Sequence, residues 1–223
     1  MVARLRTGLQ KITCVRMETV TKMIKNIVFD LGNVLVKWIP ETFLAGYSES
    51  EKEMFRKAIY FSENWLRLDR GELSEDELFE LICSEIPERY RADVKKLVRW
   101  YDMSGQIEGM EQLVLKLKAK GYRLYILSNT SKVFYRFKEL FPVIDHFDGA
   151  FVSADHGVLK PDKQIFRLFC QYFSVSPKEC VFIDDTAVNV ESATEEGFAG
   201  IWFKGDAEEL KRELVNLGII DQV

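Results

Sequence analysis

The sequence predicts an α/β fold: a parallel sheet flanked by helices, in the manner of a Rossmann-type core, with an all-helical insertion after the first strand. Three observations predict it. Five short apolar, β-branched runs alternate with segments whose apolar residues recur at three- and four-residue spacing, the pattern of strands joined by helices. Acidic and small polar residues collect at the ends of those runs. The stretch from about Pro40 to Ser104 holds no strand pattern.

The first strand is read in "IKNIVFDL", residues 24–31, an apolar run that ends on Asp30 and turns through Gly32. The insertion follows as four amphipathic helices, "SEKEMFRKAIYF", "SENWLRLD", "SEDELFELICSEI" and "ERYRADVKKLVRWYD". Ser74 and Glu77 stand three apart, as a capping box requires, at the start of the third. Next come "EGMEQLVLKLKAKG", a helix closed by Gly121, and the strand "YRLYILSN". The helix "SKVFYRFKELF" and the strand "GAFVSA" come after it, then the helix "PDKQIFRLFCQYF". Ser176-Pro177 opens a turn into the strand "ECVFIDD". The helix "NVESATEEG", closed by Gly197, leads to the last strand, "AGIWFK". Residues 23–39 and 105–223 are thus expected to form the core, and 40–104 a helical cap.

Apolar residues make up 47% and charged residues 30% of the 223, with a net charge of −4. That composition suits a globular protein and offers no basic field for nucleic acid. No apolar run reaches the ~18–20 residues needed to cross a bilayer. The four cysteines, Cys14, Cys83, Cys170 and Cys180, form no C-x-x-C pair, and with two histidines a zinc site is not expected. Reduced thiols in a cytoplasmic protein, monomeric or weakly dimeric, are the expectation. Residues 1–22 are basic until Glu18 and lack a continuous apolar segment, which argues against a secretory signal. Met17 and Met23 favour a later translation start over a transit peptide.

In open α/β sheets ligands bind beyond the carboxyl ends of the strands. Asp30 ends the first strand there, Ser128 and Asn129 the second, and Asp184 and Asp185 the fourth. Lys160 lies in "HGVLKPD", the loop between the third strand and the next helix. Three carboxylates, a hydroxyl and an ammonium at one edge suit a phosphoryl group with Mg²⁺. Hard carboxylate oxygens hold such an ion, and lysine and hydroxyl donors neutralise phosphate oxygens. Each residue has a plainer reading. Asp30 is a frequent turn residue, Ser128 an ordinary N-cap and Lys160 a solvated loop lysine. The Asp184–Asp185 pair is hardest to explain so, since adjacent like charges repel unless a cation joins them.

"FDLGNVL", "ILSNT", "GVLKPD" and "VFIDDTAVNV" resemble the four motifs of the haloacid dehalogenase (HAD) superfamily, in order, within about residues 24–217. The resemblance implies that Asp30 is a nucleophile forming an aspartyl-phosphate and that Asp30, the backbone carbonyl of Gly32 and Asp185 ligate Mg²⁺. It implies that Asp184 orients metal-bound water or Lys160. Ser128 and the amide of Asn129 would hold phosphate oxygens, Lys160 would bridge phosphate and nucleophile, and Asn189 would close the loop.

Most phosphatases of the superfamily carry a second Asp in the first motif, which protonates the leaving group and activates water. Here Gly32 stands in that position. Three explanations are open. The "DLGNV" turn resembles that of the α-glucose-1-phosphate phosphatases, where an easily expelled anomeric oxygen needs less help. The acid comes instead from the cap, from Asp69 or Glu72 in "LDRGELS". Or turnover is lost, and the protein binds phosphometabolites or a partner. The first is preferred, giving a Mg²⁺-dependent phosphomonoester hydrolase for a small phosphorylated metabolite, a sugar 1-phosphate first. Haloacid dehalogenation, which needs no metal, would leave Asp184 and Asp185 without a purpose. Arg70 is expected to turn toward the phosphate and bind substrate. Trp38 is read as a core contact or pocket wall, and His156 as a surface loop residue.

Overall fold

The computed structural model describes residues 24–221; the expectations for the leader lie outside them. Strand β1 (Asn26–Phe29) is central in a five-stranded sheet of order β3-β2-β1-β4-β5, with β2 at Arg123–Ser128, β3 at Gly149–Val152, β4 at Cys180–Asp184 and β5 at Ala199–Trp202. All four pairings are parallel. The register sets Phe29 beside Ile126 and Ile183, so β1, β2 and β4 end together at one edge. Each of the five runs read from the sequence contains its strand.

The alternation of side chains along β1 explains why both sheet faces are covered. Ile27 and Phe29 point into the larger core and Val28 into the smaller one, all three fully buried. Between β1 and β2 lie α1 (Pro40–Phe43), α2 (Glu49–Phe55), α3 (Glu63–Asp69), α4 (Glu75–Glu85) and α5 (Arg91–Val98). A π-helical turn, Arg56–Tyr60, prolongs α2, and no strand occurs within 40–104. The Ser74–Glu77 capping box forms as expected. The Glu77 carboxylate accepts from the Ser74 amide at 2.7 Å, and the Ser74 hydroxyl accepts from the Glu77 amide at 3.2 Å. Apolar side chains of this block, among them Phe55, Leu78, Ile82 and Leu97, join the same core as Ile27 and Phe29.

Helix α6 (Met110–Ala119) follows, then α7 (Phe134–Phe137), α8 (Lys163–Phe173), α9 (Ala187–Glu195) and α10 (Ala207–Asn216). Helices α6 and α10 pack on the larger core, α8 and α9 on the smaller one. The helix expected over "SKVFYRFKELF" is shorter than its periodicity suggests. One α-turn gives way to 3₁₀ turns at Lys138–Leu140 and Pro142–His146. Aromatic and β-branched residues lose rotamer freedom in a helix, and Pro142 bars its extension. No described helix is long and apolar enough to cross a membrane.

Candidate active site

The edge where β1, β2 and β4 end is the floor of a cavity of about 270 Å³. Asp30, Gly32, Ser128, Asn129, Lys160, Asp185 and Asn189 all line it. At its centre is the Lys160 ammonium, 2.7 Å from an Asp30 oxygen, 2.6 Å from an Asp184 oxygen and 3.0 Å from the Leu127 carbonyl. The lysine is 5% exposed and Asp184 fully buried, so this is an interior ion triad rather than a surface pair.

The triad is held from behind. Asp184 also accepts from the Thr186 amide at 2.8 Å and from the Asn189 amide group at 3.1 and 3.2 Å. Its two oxygens are thereby committed to protein donors. Asp185 is less engaged, accepting from the Asn33 side chain at 3.2 Å and the Thr186 hydroxyl at 3.3 Å. The Asn129 side chain grips the Lys160 backbone on both sides, donating to its carbonyl at 2.9 Å and accepting from its amide at 2.8 Å. The Ser128 hydroxyl is buried, lines the cavity and has no hydrogen-bond partner among the described residues. It does not cap α7.

Oxygens of Asp30, Asp184 and Asp185 lie within 4.8 Å of one another. That many hard anionic oxygens in so small a space suit a divalent cation such as Mg²⁺. Electrostatics agree. Burial, more than the neighbouring charges, lifts the Asp30 carboxyl to about 7. Burial and then Asp184 raise Asp185. Burial alone would lower the Lys160 ammonium, but Asp184 and Asp30 outweigh it and hold the group above its ordinary value.

Two residues of the cap loop go in opposite directions. Asp69, the last residue of α3, is buried and lines the cavity. Glu72 points elsewhere, pairing with Arg70 at 2.7 Å and Arg67 at 3.3 Å. Arg70 does not turn toward the phosphate side. Its guanidinium spans Glu63 at 2.5 Å and Glu72, and it is not among the cavity-lining residues. Two acids within reach on the same outer face hold it there. Trp38 does line the cavity, edge-on to Tyr60 with ring centroids 6.2 Å apart. His156 stacks on Phe151 at 3.8 Å, away from the cavity.

Three lining features escaped the sequence reading. Asn33 adopts a left-handed φ of 53° and ties the first turn to Asp185; an Asn after a Gly is a turn signal that could have revealed it. Glu75 binds the Tyr101 hydroxyl at 2.8 Å and Arg136 at 2.6 Å, joining the cap to α7. The roof of the cavity is largely aromatic: Trp38, which the sequence reading did name as a core contact or pocket wall, is joined there by Tyr60, Trp65, Trp100, Tyr101 and Phe137, which it did not. These residues are scattered from 38 to 137, and no local pattern marks them as one surface.

Known proteins are similar to this chain in sequence and in fold. A sesquiterpene phosphatase of Aspergillus oryzae is 28% identical over 181 residues, covering 79% of this chain and 88% of its own length. The D-ribitol-5-phosphate phosphatase of Bacteroides thetaiotaomicron is 28% identical over 191 residues, covering 79% and 90%. Among solved structures, a HAD-family enzyme of the same bacterium, crystallised as a mutant with magnesium and inorganic phosphate, is similar at a TM-score of 0.65. It is 25% identical, with 84% of this chain and 98% of that one covered. A sequence model of the haloacid dehalogenase-like hydrolases matches residues 24–197, which take in all four motifs and the whole triad. On that match the chain belongs to the haloacid dehalogenase-like hydrolases and is an enzyme of that family.

Proposed function

We propose that the protein is a Mg²⁺-dependent phosphomonoester hydrolase working through an aspartyl-phosphate on Asp30. The observation that supports this most strongly is the buried Asp30–Lys160–Asp184 triad beside a cavity that Ser128, its hydroxyl unpaired among the described residues, also lines. Each residue then has a task. An Asp30 oxygen attacks phosphorus, the Lys160 ammonium neutralises charge shared between nucleophile and phosphoryl oxygens, and Ser128 donates to one of those oxygens. Asp30, Asp185 and the Gly32 carbonyl are the groups left to hold Mg²⁺, because Asp184 is committed to Lys160, Thr186 and Asn189. Bound there, the ion would supply positive charge to the phosphoryl oxygens. Asp184 positions Lys160, Asn129 fixes the backbone that carries it, and Asn189 closes the loop.

The roof favours an apolar leaving group. Six aromatic side chains line the same cavity as Asp30 and Lys160, and the Tyr60 hydroxyl is already spent on the Leu97 carbonyl at 3.0 Å. The Tyr101 hydroxyl is spent on Glu75. A monophosphate of a small apolar alcohol would bury its carbon skeleton against these rings at about 25 cal/mol per Å². The sesquiterpene phosphatase among the relatives is in keeping with that choice. A sugar 1-phosphate is the second reading, favoured by Gly32 and by the likeness of "DLGNV" to the α-glucose-1-phosphate phosphatases.

A panel of a prenyl monophosphate, glucose 1-phosphate, ribitol 5-phosphate and p-nitrophenyl phosphate, with Mg²⁺ or with EDTA, tests both. Phosphate release should need Mg²⁺, and the prenyl ester should exceed the sugar phosphates at least tenfold in kcat/KM. Asp30→Asn should remove turnover. Activity surviving that substitution overturns the nucleophile, and a preference for glucose 1-phosphate overturns the apolar leaving group.

A further inference from the structure

Gly32 leaves the proposed reaction without an evident proton donor, and one cap residue answers that need by place and chemistry. Asp69 is 8% exposed and lines the same cavity as Asp30 and Lys160. Its carboxyl has no hydrogen bond or ion pair among the described residues. Such a placement is costly, because burial takes a carboxylate largely out of bulk water and no counter-ion among the described residues compensates it. It also stands at the C-terminal end of α3, where the helix dipole disfavours negative charge. Burial, the lack of a counter-ion and the helix dipole all act on one residue, with nothing among the described residues to offset them, as a group kept for chemistry shows.

The backbone around Asp69 is nevertheless firmly placed. Its carbonyl accepts from the Ser153 hydroxyl at 2.7 Å, and Ser153 is fully buried. The same hydroxyl accepts from the Thr130 amide at 2.9 Å, and the Thr130 carbonyl lies 3.1 Å from it. The ends of β2 and β3 therefore fix the cap residue over the sheet edge that carries Ser128. Two residues on, Gly71 lies so near Ala154 that a Cβ would come within 2.1 Å of its carbonyl oxygen.

We propose that Asp69 is the general acid and base of the reaction, supplying from the cap the carboxyl that Gly32 cannot. This rests on the phosphatase reading and deepens it. As Asp30 attacks phosphorus, the bond from phosphorus to the ester oxygen breaks and Asp69 gives that oxygen its proton, releasing the alcohol. The Asp69 carboxylate then takes a proton from water as the water oxygen attacks the phosphoryl group. The bond to Asp30 breaks, inorganic phosphate leaves, and both aspartates return to their starting states. Burial, and then the charge on Asp30, raise Asp69 to about 7, where one group can both give and accept a proton at neutral pH.

The test compares leaving groups. p-Nitrophenolate leaves without protonation, whereas a prenyl alkoxide does not. Asp69→Asn should slow prenyl phosphate hydrolysis by about 100-fold or more. On p-nitrophenyl phosphate it should give a rapid burst of one nitrophenolate per chain and then slow turnover, because the phosphoenzyme forms but lacks its base. Asp69→Ser, with an unfolding midpoint no lower than that of the unsubstituted chain, should do the same. Hydrolysis of both esters at the original rate overturns the proposal, as does equal slowing of both without a burst, the mark of a merely structural role. If the unsubstituted chain releases phosphate from neither ester, the phosphatase reading falls and this one with it.

Discussion

Lys160 shows how much one side chain carries. Its ammonium lies between two carboxylates that would otherwise face each other in the interior, where screening is weak. Replacing it by Met leaves Asp30 and Asp184 as uncompensated buried charge, which costs about 3–5 kcal/mol when one partner of a buried pair is removed. Urea unfolding of Lys160→Met in EDTA should show that loss, and Mg²⁺ should recover part of it by supplying the missing positive charge. An unchanged midpoint would mean that the triad contributes nothing to stability. The lysine was legible in the sequence through its place before Pro161-Asp162 and the three other motifs. The second role of Asn129, clamping the Lys160 backbone through its side chain, was not. That contact joins residues 31 apart, and only the fold brings them together. Arg70 fails for a related reason: its charge made it a candidate ligand, but the nearer acids Glu63 and Glu72 claim it.

At the level of elements, strands were read more faithfully than helices. A strand buried on both faces is a continuous apolar run, and "IVF", "YILS" and "VFID" admit few other interpretations. Helical periodicity in "SKVFYRFKELF" was real, yet packing of Phe134, Phe137 and Phe141 into the core is met by one α-turn and successive 3₁₀ turns. The junction after α3 is the element on which the cap depends most. Gly71 has a φ of 74° and meets the Ala154 carbonyl with no room for a Cβ. Gly71→Ala therefore faces both a left-handed backbone and a clash with main chain, a cost of about 2 kcal/mol. Because Asp69 is only two residues away, the same substitution should lower turnover by more than the folding loss explains. Thermal unfolding and kcat measured on one preparation separate the two. A stable variant with full activity would show that the close approach does not position the cap.

Over the described molecule, the helical insertion and the sheet share one apolar core, and the cavity holding Asp30, Lys160 and Asp69 is lined from both. That enclosure sets a pH dependence of folding. Asp69 has an ordinary carboxyl value of ~3.9 when unfolded and about 7 when folded, because burial and then Asp30 penalise its charge. Below pH ~4 both states hold the proton, and Asp69 adds no pH dependence. Between there and pH 7 the unfolded chain releases its proton while the folded chain keeps it. The folded state then binds more protons, and its stability falls as pH rises. Above about 7 both states are ionised, and the penalty, on the order of a few kcal/mol, is complete. Asp30, Lys160, Asp185 and Glu75 line the same cavity, so the contribution of Asp69 is isolated by difference. Unfolding free energies of the unsubstituted chain and Asp69→Asn, in EDTA from pH 4 to pH 8, should diverge. The amide variant gains relative stability as pH rises and levels off above about 7. Parallel curves would place Asp69 in contact with water or a cation in solution, and its carboxyl would then have no reason to hold a proton at neutral pH.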